Sequence, residues 1–479
     1  MILLNTDENV PLYQQLYEQI KQRIISGEYR EGTRLTSTRK LATELCVGRN
    51  TVESAYDQLC AEGYVTSWQG SGFRVVDLAE NPFESPEMTG PASERYPVLA
   101  GETVQKESVT SRSEQSCRYQ FRYGAMDYRT FPHAEWRKIT NKIMAHTDPE
   151  HLYTYGDKQG ELVLRKEITK YLRQSRGVRS IPDQIVVGSG FQDLMRMICL
   201  LLAEDKPTLA MEEPGYDFTR IIFNDHGYDI IPVRVDGFGM NPDELEKCGA
   251  SLAYLTPSHQ LPMGIVMPIQ QRMQILQWAS KVNGIIIEDD YDSELRYRNR
   301  PIPSLQSIDP ADRVIYVGTF SKAFSPGLRM GYMVLPPWLL NDYHRIFMRY
   351  KSNIPRCQQL VAAEFMSSGQ WEKHLRRICQ INRRKRDVLI QTIQHEMKDK
   401  VQIHGQNAGL HVLLEFLGGE DQTLMVERAE KYQVMVSPTR QFWWNKNNSS
   451  NNLIMLGFGG LSEKEIVEGI RLLRQAWFD

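Results

Sequence analysis

The chain has 479 residues, 41% hydrophobic and 24% charged, an ordinary globular composition too long for one core, so two or three domains are expected. Lys plus Arg (57) nearly cancels Asp plus Glu (59), and the net charge of −2 excludes a polybasic membrane binder and gives no bulk sign of a nucleic-acid partner. The longest apolar run, 197–203, is far short of the ~20 residues of a spanning helix, residues 1–8 lack a secretory leader, and seven scattered cysteines without a C-x-x-C spacing point to reduced thiols in a cytoplasmic protein with no metal site.

Leu12, Leu16, Ile20 and Ile24 recur every four residues, which predicts an amphipathic helix over 11–26, with Pro11 in its first turn and Gly27 past its end. Ser37 is a good N-cap for a short second helix reaching Cys46, with Leu41, Ala42 and Leu45 on one face. Val47-Gly48 is a tight turn, and Val52, Ala55, Tyr56 and Leu59 mark a third helix. The runs 64–68 and 73–76 flank Gln69-Gly70-Ser71-Gly72, a hairpin signal.

Helix, turn, helix and hairpin is the layout of a winged helix-turn-helix, whose second motif helix enters the major groove of DNA. Its first residues here are Arg49, Asn50 and Thr51; arginine can pair a guanine edge, and all three can contact phosphate. Residues 1–78 hold eight Lys/Arg and ten Asp/Glu, yet between Lys21 and Arg49 seven cations face three acids. The positive charge is concentrated where groove-facing elements would be. The stretch 32–42 (GTRLTSTRKLA), with 48–52 (GRNTV) and 61–65 (AEGYV), resembles the GntR family of bacterial regulators, with Glu31 and Thr36 where that family usually has proline. The resemblance implies a double-stranded operator contacted by Arg39, Arg49 and Thr51, with a wing at Ser71-Gly72.

Residues 79–118 hold Pro82, Pro86, Pro91 and Pro97 among many Glu and Ser, and read as a linker. As coil it would reach roughly 35 Å; an ordered strap is the alternative. From 119 to 479, apolar β-rich runs alternate with amphipathic helices, which predicts an α/β domain with a mostly parallel sheet.

In open α/β sheets ligands sit beyond the C-terminal strand ends. One apolar strand runs into Glu288-Asp289-Asp290-Tyr291 and another into Thr319-Phe320-Ser321-Lys322, so two such ends suggest one site. A lysine there can form a Schiff base with an aldehyde, an aspartate can keep a pyridine nitrogen protonated, and a tyrosine can bond a ring oxygen. Arg329, past Pro326-Gly327, could pair with phosphate, and the backbone amides of the strand-to-helix turn Val186-Val187-Gly188-Ser189-Gly190-Phe191-Gln192 could cradle phosphate at a helix N-terminus. Together with Glu212-Glu213-Pro214-Gly215-Tyr216 and Thr256-Pro257-Ser258-His259-Gln260, these motifs resemble the fold-type I aminotransferases. Fused behind a GntR-like domain, the whole is similar to the MocR/GabR family of regulators.

That resemblance implies a mostly parallel large domain with a smaller C-terminal subdomain, and pyridoxal phosphate as cofactor. Lys322 would carry it as an aldimine, Asp289 would face the pyridine nitrogen, Tyr291 the phenolic oxygen, and Tyr216 would stack on the ring. Ser189, Gly190, Ser321 and Arg329 would hold the phosphate, with His259 in the segment beside the cofactor, either as a contact or as a packed loop histidine. Arg440 looks like an effector-carboxylate arginine. GABA-responsive members carry an arginine two residues after the stacking tyrosine, where this chain has Phe218, so GABA is not the expected effector. The 443–452 segment, an aromatic pair followed by a polar run, reads as a loop near the effector site or as a surface insertion. The resemblance further implies a homodimer with swapped reading domains, regulating transcription in response to an amino compound or pyridoxal phosphate itself. The rival reading is a working aminotransferase tethered by its DNA-binding domain.

Overall fold

The computed structural model describes residues 2, 4–5, 10–68, 72–76, 117–203, 207–297, 303–347, 349–446 and 451–479. The chain divides into two units, Met1–Glu107 and Ser108–Asp479. The expected linker, 79–118, lies outside the described residues except for Cys117 and Arg118.

The first unit is three helices and a hairpin: α1 (Leu12–Ile25), α2 (Thr38–Glu44), α3 (Arg49–Ala61), β1 (Val65–Trp68) and β2 (Gly72–Val75). The four-residue apolar spacing of α1 buries Leu16, Ile20 and Ile24 against Leu41 and Ala42 of α2 and Val52, Ala55, Tyr56 and Leu59 of α3. Val65 and Val75, opposite each other in the antiparallel hairpin, close this core. Ser37 caps α2 as its sequence predicts, its Oγ accepting from the Lys40 amide. Gly72 starts β2 at φ +84°, a conformation that favours glycine.

The second unit is built on an eight-stranded sheet. In chain order its strands follow the short β3 (Tyr119–Gln120): β4 (Ile185–Gly188), β5 (Leu209–Glu213), β6 (Ile230–Asp236), β7 (Gly239–Met240), β8 (Leu252–Leu255), β9 (Ile285–Asp290), β10 (Val314–Thr319) and β11 (Gly331–Val334). Their spatial order is β4-β11-β10-β9-β8-β5-β6-β7. β5, β6, β8, β9 and β10 pair in parallel, while β11 and β7 run antiparallel to their neighbours. The sheet is covered on both faces, as parallel sheets require. Ile287, Ile315 and Val317 point into one core and Ile286 and Val314 into another, following the two-residue period of a strand.

The smaller subdomain is a four-stranded antiparallel sheet of β12 (Val401–His404), β13 (His411–Phe416), β15 (Ser437–Pro438) and β16 (Leu453–Gly457), in the order β12-β13-β16-β15. β3 returns to it, pairing in parallel with β14 (Val434–Met435). Among the described residues no helix is long and apolar enough to cross a membrane.

Candidate functional site

Five strands, β4, β5, β8, β9 and β10, discharge their C-terminal ends at one place. β4 ends in Ser189-Gly190 and the helix Phe191–Leu201, β5 in the Tyr216 turn, β8 in Thr256–Leu261, β9 in Tyr291, and β10 in Ser321-Lys322. These ends enclose a cavity of about 180 Å³ lined by Tyr123, Tyr216, Asp289, Tyr291, Lys322 and Arg329, with Phe191, Gln192, Thr256, Leu261, Thr319 and Ser321 completing the wall. Sequence reasoning therefore brought together six residues that really share one cavity: Tyr216, Asp289, Tyr291, Ser321, Lys322 and Arg329.

Lys322 sits in this cavity with its Nζ 4.4 Å from the centre of the Tyr123 ring. Burial lowers its pKa, against the pull of the Asp292 and Asp289 carboxylates. Gly124 makes room for it: at φ +79°, a Cβ there would lie 2.8 Å from the lysine nitrogen. Asp289 is buried, and burial pushes its carboxyl up to about 8, although the Tyr254 hydroxyl donates to its Oδ2 at 2.5 Å. Behind it, Asp290 is held by Arg176, whose Nε donates to its Oδ2 at 2.7 Å, and by the Tyr316 hydroxyl. Glu288 accepts the amides of Leu305 and Gln306. The acidic end of β9 is thereby fixed on three sides, and only Asp289 faces the cavity.

The wall formed by the turn after β4 differs in detail from expectation. The Ser189 amide is taken by Asp193 Oδ2 at 2.7 Å, and the Gly190 amide by the Gly188 carbonyl. The first intrahelical bond is donated by the Leu194 amide, which leaves those of Phe191, Gln192 and Asp193 over, and Phe191 and Gln192 line the cavity. Gly190, at φ +82°, is needed for close approach: a Cβ would stand 3.0 Å from the Arg329 guanidinium. Arg329 also donates to the Ser189 carbonyl at 3.3 Å.

His259 is not on the cavity wall. Its Nδ1 lies 2.7 Å from Asp292 Oδ2, and Tyr291 donates its hydroxyl to the His259 carbonyl at 2.9 Å. The loop thus holds the Tyr291 hydroxyl through the His259 carbonyl, while His259 Nε2 is buried and has no partner among the described residues. Beside it, His411 is buried and pushed down to about 3, by burial first and then by His259. Arg440 is exposed and does not line the cavity; its backbone amide donates to Gln422. The adjoining Trp443-Trp444 segment is tied through its backbone to the turn that precedes Tyr216, since Glu213 accepts the amides of Trp444 and Asn445 and the Gly215 amide donates to the Phe442 carbonyl. Arg220 stacks on Trp444 at 5.1 Å, and Phe218 is half exposed beside Tyr216. Tyr123, Leu261 and Tyr254 are the contributors to the site that sequence reasoning did not single out.

In the first unit, Arg49 and Asn50 are exposed and Thr51 partly so, at the N-terminus of α3, which no side chain caps. Arg39 is exposed on α2. Gly72 lies against the Arg34 guanidinium, while Ser71 is outside the described residues. The cation cluster is less free than its count suggests. Lys21 pairs with Glu62, Arg23 with Glu28, Lys40 with Glu44 and Arg49 with Glu53. Among the described residues, Arg30, Arg34 and Arg39 have no such carboxylate and remain the open positive charge.

The family described as Aminotransferase class I and II matches residues 120–453, and that described as Bacterial regulatory proteins, gntR family, matches residues 12–75. The chain is 38% identical over 474 residues to the Uncharacterized HTH-type transcriptional regulator YdeL of Bacillus subtilis (strain 168), covering 99% of this chain and 98% of that one. It is 32% identical over 478 residues to the Probable rhizopine catabolism regulatory protein MocR of Rhizobium meliloti, covering 100% and 96%. Among solved structures, Pyrococcus horikoshii kynurenine aminotransferase superposes with a TM-score of 0.69 at 27% identity, over 76% of this chain and 91% of that one. Matched end to end by such relatives and carrying both domains in order, the chain belongs to the MocR/GabR family of transcriptional regulators, a GntR-type helix-turn-helix domain joined to an aminotransferase-like fold.

Proposed function

We propose that this chain is a DNA-binding transcriptional regulator whose aminotransferase-like domain holds pyridoxal phosphate and senses an amino compound or the cofactor itself. The observation that carries this reading is the buried Lys322 amine, facing Asp289 across a cavity whose rim bears Arg329, in a chain that also presents an uncapped helix end beside open arginines.

The residues fit the cofactor. Gly190 and Gly124 leave space that a side chain would fill, next to Arg329 and Lys322 respectively. Arg329, Ser321 and the Phe191 and Gln192 amides would hold the phosphate, Ser189 and Gly190 shaping the turn behind them. Tyr216 would cover the ring and Tyr291 meet its oxygen. When bound, the cofactor supplies an aldehyde that takes up amino groups. Burial keeps a larger share of Lys322 as the neutral amine that can attack such a group. The Asp289 carboxyl retains a proton up to about pH 8 and can share it with a ring nitrogen. Tyr254 holds one oxygen of that carboxyl and leaves the other for the ligand.

Phe218 and the stacked Arg220 support an effector other than one gripped by two carboxylate clamps. An effector can act only if it binds one arrangement of the reading domains better than another. A swapped homodimer, bridged by the 79–118 segment, is the assembly we propose for this coupling, with 1–78 as reader and 119–479 as sensor.

The chain incubated with pyridoxal phosphate is expected to turn yellow and to carry the cofactor on Lys322 after borohydride treatment, whereas Lys322→Ala stays colourless. A colourless wild type would sink the cofactor assignment. The near-complete set of cavity residues also favours a second reading, an aminotransferase. Sustained amino transfer to a keto acid, with no effect of the amine on DNA affinity, would establish that reading instead.

A further inference from the structure

The chain enters the larger unit through residues 119–125, and that segment reaches Lys322 directly. Its first part is held as a strand: the Tyr119 and Phe121 amides donate to the Gln433 and Met435 carbonyls, and the Gly457 amide donates to the Phe121 carbonyl. Tyr123 then lines the cavity, with its ring centre 4.4 Å from Lys322 Nζ. The His411 ring meets the Tyr123 ring edge-on at 5.3 Å and fixes its other side.

The bed beneath this segment is cut to fit it. A Cβ at Gly457 would collide with the Arg122 carbonyl, one at Gly459 would stand 2.6 Å from the Ala125 carbonyl oxygen, and one at Gly469 2.5 Å from the Phe121 ring. None of the three has a left-handed φ, so what they supply is room for close approach. On the opposite side a Cβ at Gly124 would lie 2.8 Å from Lys322 Nζ. The segment is therefore packed without slack between the smaller subdomain and the lysine, and close-packed contacts pass displacement on. A group bonded to Nζ changes both the bulk beside Gly124 and the charge beneath the Tyr123 ring.

On the cofactor assignment above, we propose that Tyr123 positions Lys322 and registers its occupancy: the segment 119–125 takes one seat on its glycine bed while Lys322 is a free amine and another once the amine is bonded. Such a device needs only that the two states of Lys322 favour different seats. It places the response at the point where the chain leaves the sensor for 79–118.

The test is hydrogen exchange of the full chain, read at the Tyr119 and Phe121 amides, without cofactor and after loading with pyridoxal phosphate, with colour recording the loading. Without cofactor, Lys322→Ala and Tyr123→Leu should each speed these amides by about 5- to 30-fold, the worth of a desolvated cation on an aromatic ring, while amides of β8 and β9 exchange as in wild type. Tyr123→Phe keeps the ring and should exchange as wild type. On loading, wild type and Tyr123→Phe should shift at these amides by at least about fivefold, whereas Tyr123→Leu turns equally yellow and does not shift. Should Tyr123→Leu fail to fold, Lys322→Ala without cofactor and the wild-type shift on loading decide the matter between them. Exchange unaltered by Lys322→Ala, no shift in a yellow wild type, or a full shift in Tyr123→Leu would overturn the proposal. A wild type that stays colourless would overturn the cofactor assignment and the sensing with it, and the cofactor-free arm would still decide whether Tyr123 holds Lys322.

Discussion

Asp289 offers a direct test of how far the cavity is arranged for a ligand rather than for stability. Its carboxyl titrates at about 8 in the folded chain against an ordinary 3.8, because burial disfavours the anion. A carboxyl raised in this way binds more protons folded than unfolded, so its contribution is fully present below pH 3.8 and is lost as pH climbs toward 8. At about 1.4 kcal/mol per pH unit, the loss approaches about 4 kcal/mol at pH 7. Asp289→Asn keeps the shape and an oxygen that can accept from Tyr254, and it removes the titration. The cofactor-free variant should therefore match wild type near pH 4 and exceed it by about 2–4 kcal/mol at pH 7. Urea unfolding of cofactor-stripped protein across pH 4–8, followed by tryptophan fluorescence, would measure this. The same substitution should weaken cofactor retention, since the ring nitrogen loses its acid. A difference that stays flat with pH, or a variant that becomes less stable as pH rises, would refute the reasoning.

Other substitutions probe other parts. Arg49→Ala gives up only an exposed pair with Glu53, about 0.3–0.5 kcal/mol of stability, yet should weaken operator binding by about 10- to 100-fold with the cofactor spectrum unchanged; equal binding in gel shift would remove Arg49 from the reading face. Gly190→Ala forces a side chain to φ +82° and toward Arg329, at about 1–2 kcal/mol. It should narrow the preference for pyridoxal phosphate over pyridoxal, measured by equilibrium dialysis. Arg176→Met strands the buried Asp290 and should destabilise the larger unit by about 3–5 kcal/mol in thermal unfolding, while adding Asp290→Leu should recover part of the loss.

The sequence carried the positions that follow strand ends, because an apolar run that stops in Asp, Tyr, Ser or Lys announces both its direction and its exit. Asp289, Tyr291, Ser321 and Lys322 were legible for that reason. Tyr254 was not: it lies mid-strand in β8 and reads as core, and only the pairing of β8 with β9 brings its hydroxyl to Asp289. Tyr123 follows β3 with no local motif, and it meets Lys322 because β3 is drawn back to β14 from more than 300 residues along the chain. Charge was the least legible quantity. Four of the seven cations counted between Lys21 and Arg49 are paired in space, two of them with acids beyond that stretch, Glu53 and Glu62. Arg440 shows the converse, since its motif position does not bring it onto the cavity wall.

The grip of Glu213 on the Trp444 and Asn445 amides has a mechanical meaning. It joins the last residue of β5 to the segment that follows β15, and the Gly215–Phe442 bond repeats the join one step nearer Tyr216. The Tyr216 ring is thus geared to the smaller subdomain as well as to the sheet. Any shift of the Tyr216 turn therefore strains these bonds, so the turn and the smaller subdomain are mechanically one piece at this edge of the cavity.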